Sequence, residues 1–245
     1  MAPVRNTRTA AIIDLDDTLI AFDGVSERSW RTVLDEYAMQ NPHCDIDTLY
    51  ETIKRVNRWY WSDAQRHRRG RNDLAGSRRI TMRLAADELP WLSREDAVII
   101  ADRYSFVRDE NIFLLPGAHE MLTALTERGI RLVLVTNGES HIQRGKLKRF
   151  DIAKYFPHMF IEGELGYGKP EERVYREALS ALKASPEETA IFGDNLEWEV
   201  RVPGAMGLYT VWHDWRKKGL PEGSDCRPDA IVTSLFEAAD VIIGA

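Results

Sequence analysis

Three acidic side chains stand close together where an apolar segment of the chain ends. Asp14, Asp16 and Asp17 follow the run AAII, which is typical of a short buried strand. Carboxylates at such a place repel one another and lose water, so they add no obvious stability to the fold. Their position therefore indicates chemistry that needs several negatively charged oxygen atoms.

Three further polar clusters occupy comparable places. Thr136 and Asn137 follow the apolar run RLVLV, and Asp194 and Asn195 follow AIFG. Lys169 lies in a loop just before a predicted helix. In an open parallel sheet, ligands bind in the crevice outside the carboxyl ends of the strands. We therefore expect all four clusters to meet in one crevice.

The residue types in these clusters favour phosphoryl chemistry with a hard cation. Asp14, Asp16 and Asp194 would repel one another unless a cation lay among them, and oxygen ligands without nearby His or Cys suit Mg²⁺. Lys169 supplies a fixed positive charge and Thr136 a hydroxyl group. Such a set fits a phosphoryl group, toward which a metal-screened aspartate is a competent nucleophile.

The elements that must position these residues alternate between strand and helix after Pro116. This alternation predicts an α/β fold with a Rossmann-like parallel sheet and helices on both faces. The stretch 21–111 instead has helical spacing of apolar residues, which predicts an all-helical cap inserted into the sheet domain. The predicted domains are 1–20 with 112–245 as the α/β core and 21–111 as the cap.

The bulk composition narrows the class of protein. The chain has 245 residues and a net charge of −6, which argues against nucleic-acid partners and an anionic membrane surface. The N-terminal segment lacks the apolar centre of a secretion signal, and no apolar run approaches the ~20 residues that span a bilayer. Cys44 and Cys226 are far apart and have no metal-ligand spacing. We predict a cytoplasmic protein, monomeric or homodimeric.

The motifs together resemble a known family. D-x-D-x-T at Asp14, Asp16 and Thr18 is followed, in order, by TN at 136–137, KP at 169–170 and GDN at 193–195. This order is similar to that of the haloacid dehalogenase-like (HAD) hydrolase superfamily. The resemblance covers nearly the whole chain and is closest to the phosphatases whose helical cap is inserted after the first strand.

The resemblance implies a reaction in two displacements. Asp14 would attack phosphorus and form an aspartyl-phosphate, and Asp16 would protonate the leaving alcohol and then activate water. Mg²⁺ would be held by Asp14, by the backbone carbonyl of Asp16 and by Asp194. The substrate would be the phosphate monoester of a small metabolite, of sugar phosphate, nucleotide or phosphoglycolate type.

The resemblance also implies the supporting residues. Thr136 and the amide of Asn137 would hold phosphate oxygens, and Lys169 would neutralise the nucleophile and the phosphoryl group. Asn195 and Glu199 would contact the residues of the site rather than the substrate or the metal. Glu199 stands where the family usually has aspartate, and we expect it to act through a water molecule or toward Lys169.

Other interpretations remain open at this point. The same fold carries phosphomutases and haloacid dehalogenases, and a chain could retain it as a non-catalytic regulatory binding protein. A basic run, residues 66–71, follows Trp59 and Trp61 in the predicted cap. These residues would either contact the substrate or form a solvated helix end and the packing of the cap itself.

Overall fold

The computed structural model describes residues 8–244. Within that range the chain forms two compact units. The first, the sheet unit, comprises the described residues up to Ala21 together with those from Phe113 onward, and the second, the helical unit, is Phe22–Ile112. The first seven residues of the N-terminal segment considered above lie outside the described range.

A six-stranded parallel sheet forms the centre of the sheet unit, and its strands follow one another across the sheet in the order His158–Ile161, Arg131–Thr136, Ala10–Ile13, Thr189–Gly193, Tyr209–His213 and Ala230–Val232. The strand Ala10–Ile13 is central, with a hydrogen-bonded neighbour along each edge, and it is fully buried because helices cover both faces of the sheet. Two further short strands pair separately and antiparallel. In chain order the strands are β1 Ala10–Ile13, β2 Ile20–Ala21, β3 Phe113–Leu114, β4 Arg131–Thr136, β5 His158–Ile161, β6 Thr189–Gly193, β7 Tyr209–His213 and β8 Ala230–Val232.

The helical unit contains five helices around an apolar core of its own. Four of them have an N-cap side chain that accepts a hydrogen bond from a backbone N–H of the first turn. These N-cap residues are Asp45, Asp63, Asp73 and Ser93. The Trp30 ring stacks on Tyr104 with 3.7 Å between ring centroids. The helices are α1 Ser26–Gln40, α2 Ile46–Ser62, α3 Ala64–Arg71, α4 Leu74–Ala86 and α5 Arg94–Asn111.

Helices cover the sheet on both faces, as the alternating pattern predicts. Helix α9 (Glu172–Leu182) packs on the face that presents Ile12 and Val133, and α6 (Ala118–Glu127) packs against α11 (Leu235–Ile243). Apolar residues on these helices therefore close the core around β1. The helices of the sheet unit are α6 Ala118–Glu127, α7 Ser140–Arg149, α8 Glu162–Leu165, α9 Glu172–Leu182, α10 Val202–Ala205 and α11 Leu235–Ile243.

The pair β2 and β3 forms where the chain passes between the two units. Ile20 pairs with Leu114, and Ala21 with Phe113. The units therefore change at 21/22 and 112/113, one residue beyond the boundaries that helical spacing indicated, because a two-residue strand leaves no periodicity to detect. No helix in the described range is long and apolar enough to span a bilayer.

Candidate active site

Asp14 is the first residue beyond β1, at the carboxyl edge of the sheet. Its backbone N–H donates to the Phe192 carbonyl of the neighbouring strand at 3.0 Å, so the main chain is held there. Its Oδ1 lies 2.5 Å from Lys169 Nζ, and its Oδ2 accepts a hydrogen bond from the Thr18 hydroxyl at 2.8 Å. The residue is 7% exposed. One side chain thus has both oxygens fixed and one narrow access to solvent.

Lys169 reaches this carboxylate from the loop between α8 and α9, which Asn137 holds in place. The Asn137 amide donates to the Lys169 carbonyl at 2.7 Å and accepts from the Lys169 N–H at 2.9 Å. A Cβ atom on Gly168 would lie 2.3 Å from Asn137 Oδ1, so this close approach requires glycine. The side chain of Asn137 therefore positions the lysine loop, which leaves its backbone amide for any ligand.

Glu199 contacts the same lysine from the other side. Its Oε1 lies 2.6 Å from Lys169 Nζ, and its Oε2 accepts from the Asn195 backbone N–H at 2.9 Å. The residue belongs to a π-helical turn, Leu196–Arg201, whose first N–H groups donate to the Asn195 side chain. Of the two partners considered from the sequence, Glu199 faces Lys169. A Cβ atom on Gly193 would lie 2.3 Å from Glu199 Cγ, so this close approach requires glycine.

The three buried charges of this cluster do not cancel. Burial opposes the Lys169 ammonium, but the Asp14 and Glu199 carboxylates outweigh it and raise the pKa of Lys169 above its ordinary value. Burial raises the pKa of Glu199 to about 7, with Lys169 opposing and Asp14 adding to the effect. Two carboxylates against one ammonium leave an excess of negative charge, which a proton or a cation would balance.

Asp194 follows Gly193 at the end of β6, the strand beside β1 in the sheet. Its backbone carbonyl accepts a hydrogen bond from the Trp212 indole at 2.6 Å. Because Ile13 pairs with Phe192, the residues that follow the two strands, Asp14 and Gly193, stand next to each other at the sheet edge. The loop that carries Asp194 therefore starts beside Asp14.

Asp16 and Thr136 are joined through helix α7. Gln143 Nε2 lies 2.6 Å from Thr136 Oγ1 and 3.0 Å from Asp16 Oδ2. Lys146 Nζ lies 2.7 and 2.8 Å from the two carboxylate oxygens of Asp16. The carboxylate of Asp16 is thus held by two side chains that the motif pattern did not include.

Gln143 and Lys146 were missed because a helix with seven polar or basic positions after the TN motif is typical of a solvated surface. The available signal is their spacing of three residues, which puts both on one face of α7. Asp17, which the predicted chemistry does not need, lies in the turn after β1. It adopts φ +55°, and its carboxylate lies 3.2 Å from Arg216 Nη2. This contact holds the turn after β1.

In the helical unit, the basic run forms α3, and Arg66 closes the end of α2. Its guanidinium donates to the carbonyls of Trp59 and Tyr60 and lies 4.0 Å from the Trp59 ring centroid. Trp61 packs edge-on against Tyr60 and His67. These contacts give Arg66 and Trp61 a structural role in their own unit. Trp59 remains 54% exposed.

The donor chemistry at the sheet edge fits a hard divalent cation. The predicted ligands are two carboxylates, Asp14 and Asp194, and one backbone carbonyl, that of Asp16. Residues 8–244 contain no group of three or more His, Cys, Asp or Glu side chains arranged for a metal, which is compatible with a set that has only two such side chains. Oxygen donors and uncompensated negative charge suit Mg²⁺, which keeps several waters and takes substrate phosphate oxygens.

Comparison with known proteins identifies the family. The model of the haloacid dehalogenase-like hydrolases matches residues 9–206. The chain is 39% identical to phosphoserine phosphatase of Thermus thermophilus over 135 residues, 54% of this chain and 53% of that protein, so this match spans about half of each. It is 28% identical to the pyrimidine 5′-nucleotidase PynA of Streptococcus pneumoniae over 83% of this chain and 82% of that one.

A solved structure shares the fold. The Bacillus subtilis protein YfnB, crystallised bound to magnesium, superposes with a TM-score of 0.73 at 21% identity, covering 96% of this chain and 99% of that one. The family-model match covers the motifs from Asp14 to Glu199, and several curated relatives are phosphatases. The chain belongs to the haloacid dehalogenase-like hydrolase family, as an enzyme related to that family's phosphatases.

Proposed function

We propose that this protein is a Mg²⁺-dependent phosphatase that hydrolyses the phosphate monoester of a small metabolite through an aspartyl-phosphate on Asp14. The observation that carries the proposal is the buried contact of Lys169 Nζ with Asp14 Oδ1, 2.5 Å at the carboxyl edge of the sheet. An ammonium in this place stabilises the anionic nucleophile and the phosphoryl oxygens that approach it.

In the first displacement, a carboxylate oxygen of Asp14 attacks phosphorus and the bond to the ester oxygen breaks. Asp16 gives its proton to the leaving alcohol as that bond breaks. Thr136 and the Asn137 amide hold the phosphoryl oxygens, because they stand at the carboxyl end of β4, next to β1 in the sheet. Lys169 remains an ammonium throughout, since the neighbouring carboxylates of Asp14 and Glu199 favour its charged form more than burial opposes it.

In the second displacement, water attacks phosphorus while Asp16 takes its proton. The bond between phosphorus and Asp14 breaks, and the electron pair returns to the Asp14 carboxylate. When bound, Mg²⁺ supplies positive charge that screens the carboxylates and the phosphoryl oxygens. We propose that Asp14, Asp194 and the Asp16 carbonyl hold it, with Glu199 and Asn195 supporting Lys169 and the loop after β6.

The substrate class rests on the relatives, whose names refer to phosphoserine, pyrimidine nucleotides and glyceraldehyde 3-phosphate. All three are small phosphate monoesters. We therefore extend the proposal to this class without choosing among its members. The partner is a small molecule rather than nucleic acid or membrane.

The test is turnover of p-nitrophenyl phosphate by the purified protein, with added Mg²⁺ and with a chelator. We expect free phosphate and nitrophenol in equal amounts with Mg²⁺, and neither with the chelator. A panel of phosphoserine, nucleoside monophosphates, triose and hexose phosphates and phosphoglycolate then ranks substrates. Rearrangement of a sugar phosphate without phosphate release would instead indicate a mutase, and release of halide from a haloacid a dehalogenase. Absence of all turnover would reject the proposal in favour of a binding protein.

A further inference from the structure

The sheet edge contains a second buried lysine that the reaction described above does not use. Lys146 lies on α7, and its side chain is 3% exposed, whereas that of Asp16 is 25% exposed. Its Nζ lies within hydrogen-bond distance of both Asp16 oxygens, at 2.7 and 2.8 Å. The Lys146 ammonium thus contacts both oxygens of the Asp16 carboxylate, which is proposed to transfer the proton.

Stability alone gives no good reason to place a lysine there. Removing an ammonium from water costs several kcal/mol, and an ion pair commonly returns little more than that cost. Neighbouring α7 residues such as Lys148 and Arg149 are exposed, so the helix has solvent-facing positions for basic side chains. The inward position of Lys146 is therefore better explained by what it does to Asp16.

Gln143 completes the arrangement one turn earlier on the same helix. Its Nε2 lies within 3.0 Å of Asp16 Oδ2 and the Asn137 carbonyl, and 2.6 Å from Thr136 Oγ1. It is 2% exposed. The residue therefore links the proposed acid and base to the proposed phosphate-binding strand end, and the distance between these two functions is set by one rigid helix.

We propose that Gln143 and Lys146 are positioning residues that hold the Asp16 carboxylate in the orientation in which it accepts a proton from water. The inference rests on the proposed function and adds to it a rate-setting role for α7 in the second displacement. In that step the water oxygen bonds to phosphorus, its proton passes to Asp16, and the bond from phosphorus to Asp14 breaks. A carboxylate with both oxygens engaged has lost the rotation that would turn it away from this water.

The kinetics of the two displacements distinguish a positioning role of Gln143 and Lys146 from a purely structural role. p-Nitrophenolate is a good leaving group that needs little protonation, so with p-nitrophenyl phosphate kcat/KM reports mainly the first displacement. The value of kcat also includes hydrolysis of the aspartyl-phosphate, for which Asp16 is needed whatever the substrate. Loss of Asp16 positioning should therefore lower kcat more than kcat/KM.

The experiment compares Lys146→Met with Lys148→Met, the same substitution at an exposed position of the same helix. For Lys146→Met with p-nitrophenyl phosphate we expect kcat to fall on the order of 10- to 100-fold, with kcat/KM within about threefold of wild type. Rapid mixing should then show a burst of nitrophenol close to one equivalent per site. Lys148→Met should behave as wild type. Lys146→Arg, which keeps the charge, should recover part of kcat.

Gln143→Leu is the second variant, for the case that Lys146→Met does not fold. It removes one donor to Asp16 and should give the same pattern with a smaller loss of kcat. Equal losses of kcat and kcat/KM without a burst, or kcat within threefold of wild type in the folded variants, would overturn the inference. An inactive wild-type enzyme would instead reject the proposed function, so the two failures are distinguishable.

Discussion

The two units of the chain use the same kind of ion pair in opposite settings. On the helical unit, pairs such as Arg79–Asp102 and Arg103–Glu36 are about 40–45% exposed at both partners. At the carboxyl edge of the sheet, the Lys169 and Lys146 side chains are only 2% and 3% exposed. Water competes for the first group and is excluded from the second. The burial of an ion pair, rather than the type of its residues, therefore determines how much stability is lost when one partner is removed.

Removal of the nucleophile should have the largest effect. Asp14→Asn keeps the size of the side chain and its contact with the Thr18 hydroxyl, but removes the charged oxygen that attacks phosphorus. We expect kcat with p-nitrophenyl phosphate to fall at least on the order of 10³-fold, with the thermal unfolding midpoint little changed. Turnover comparable to wild type would show that another group is the nucleophile.

Removal of the Lys169 ammonium, which contacts both Asp14 and Glu199, should cause the largest loss of stability. Lys169→Met leaves Asp14 and Glu199 buried without compensation, which should lower the free energy of unfolding by about 3–5 kcal/mol, measured by urea denaturation. Adding Glu199→Gln to this variant removes one of the two charges, so part of the loss should return. If the single variant is as stable as wild type, the burial argument for this cluster is wrong.

Acid should destabilise the sheet unit through a buried histidine. Burial lowers the pKa of His213 to about 4, against the raising effects of the Thr18 backbone and Asp214. Because the unfolded chain binds the proton near pH 6.5, stability is lost as pH falls from 6.5 through 4, by at most roughly 3 kcal/mol.

His213→Phe should remove this part of the acid sensitivity, since Phe keeps the ring that packs on Phe192. The comparison is the pH dependence of urea unfolding in the variant, in wild type and in His43→Phe, an exposed position of the helical unit. A variant that loses stability between pH 6.5 and 4 as steeply as wild type would contradict the assignment.

Removal of an exposed pair should have the smallest effect. Arg79→Ala breaks two hydrogen bonds to Asp102, but both side chains already face water, so we expect a loss of stability much smaller than that of Lys169→Met. The difference should shrink further at high salt. A loss comparable to that of Lys169→Met would remove the distinction between the two settings.

The strands and the polar ends of β1, β4 and β6 could be predicted because each is a short apolar run that stops at a polar cluster. Parallel order then brings the ends together without knowledge of any contact. These features depend on the local pattern and on the topology, both of which the residues carry.

Lys146 and the pair of β2 and β3 could not be predicted in this way. A lysine on a polar helix has the same pattern whether it faces water or a carboxylate that is 130 residues away in the chain. Two-residue strands lack periodicity, and their pairing depends on where the chain enters and leaves the helical unit. Both features depend on tertiary contacts between residues that are far apart in the sequence, so no short segment of the sequence predicts them.

Because Gly193 has no side chain, the residue type at position 193 depends on the side chain at position 199. The space that a Cβ atom would take there is already filled by the Cγ of Glu199. Aspartate at position 199 would also place a Cγ atom there, and the Asp14 Cβ would lie 3.1 Å from the added Cβ, so shortening the acid by one methylene does not by itself free the space. The contact therefore preserves glycine at position 193 for as long as the side chain at position 199 keeps its Cγ in this place.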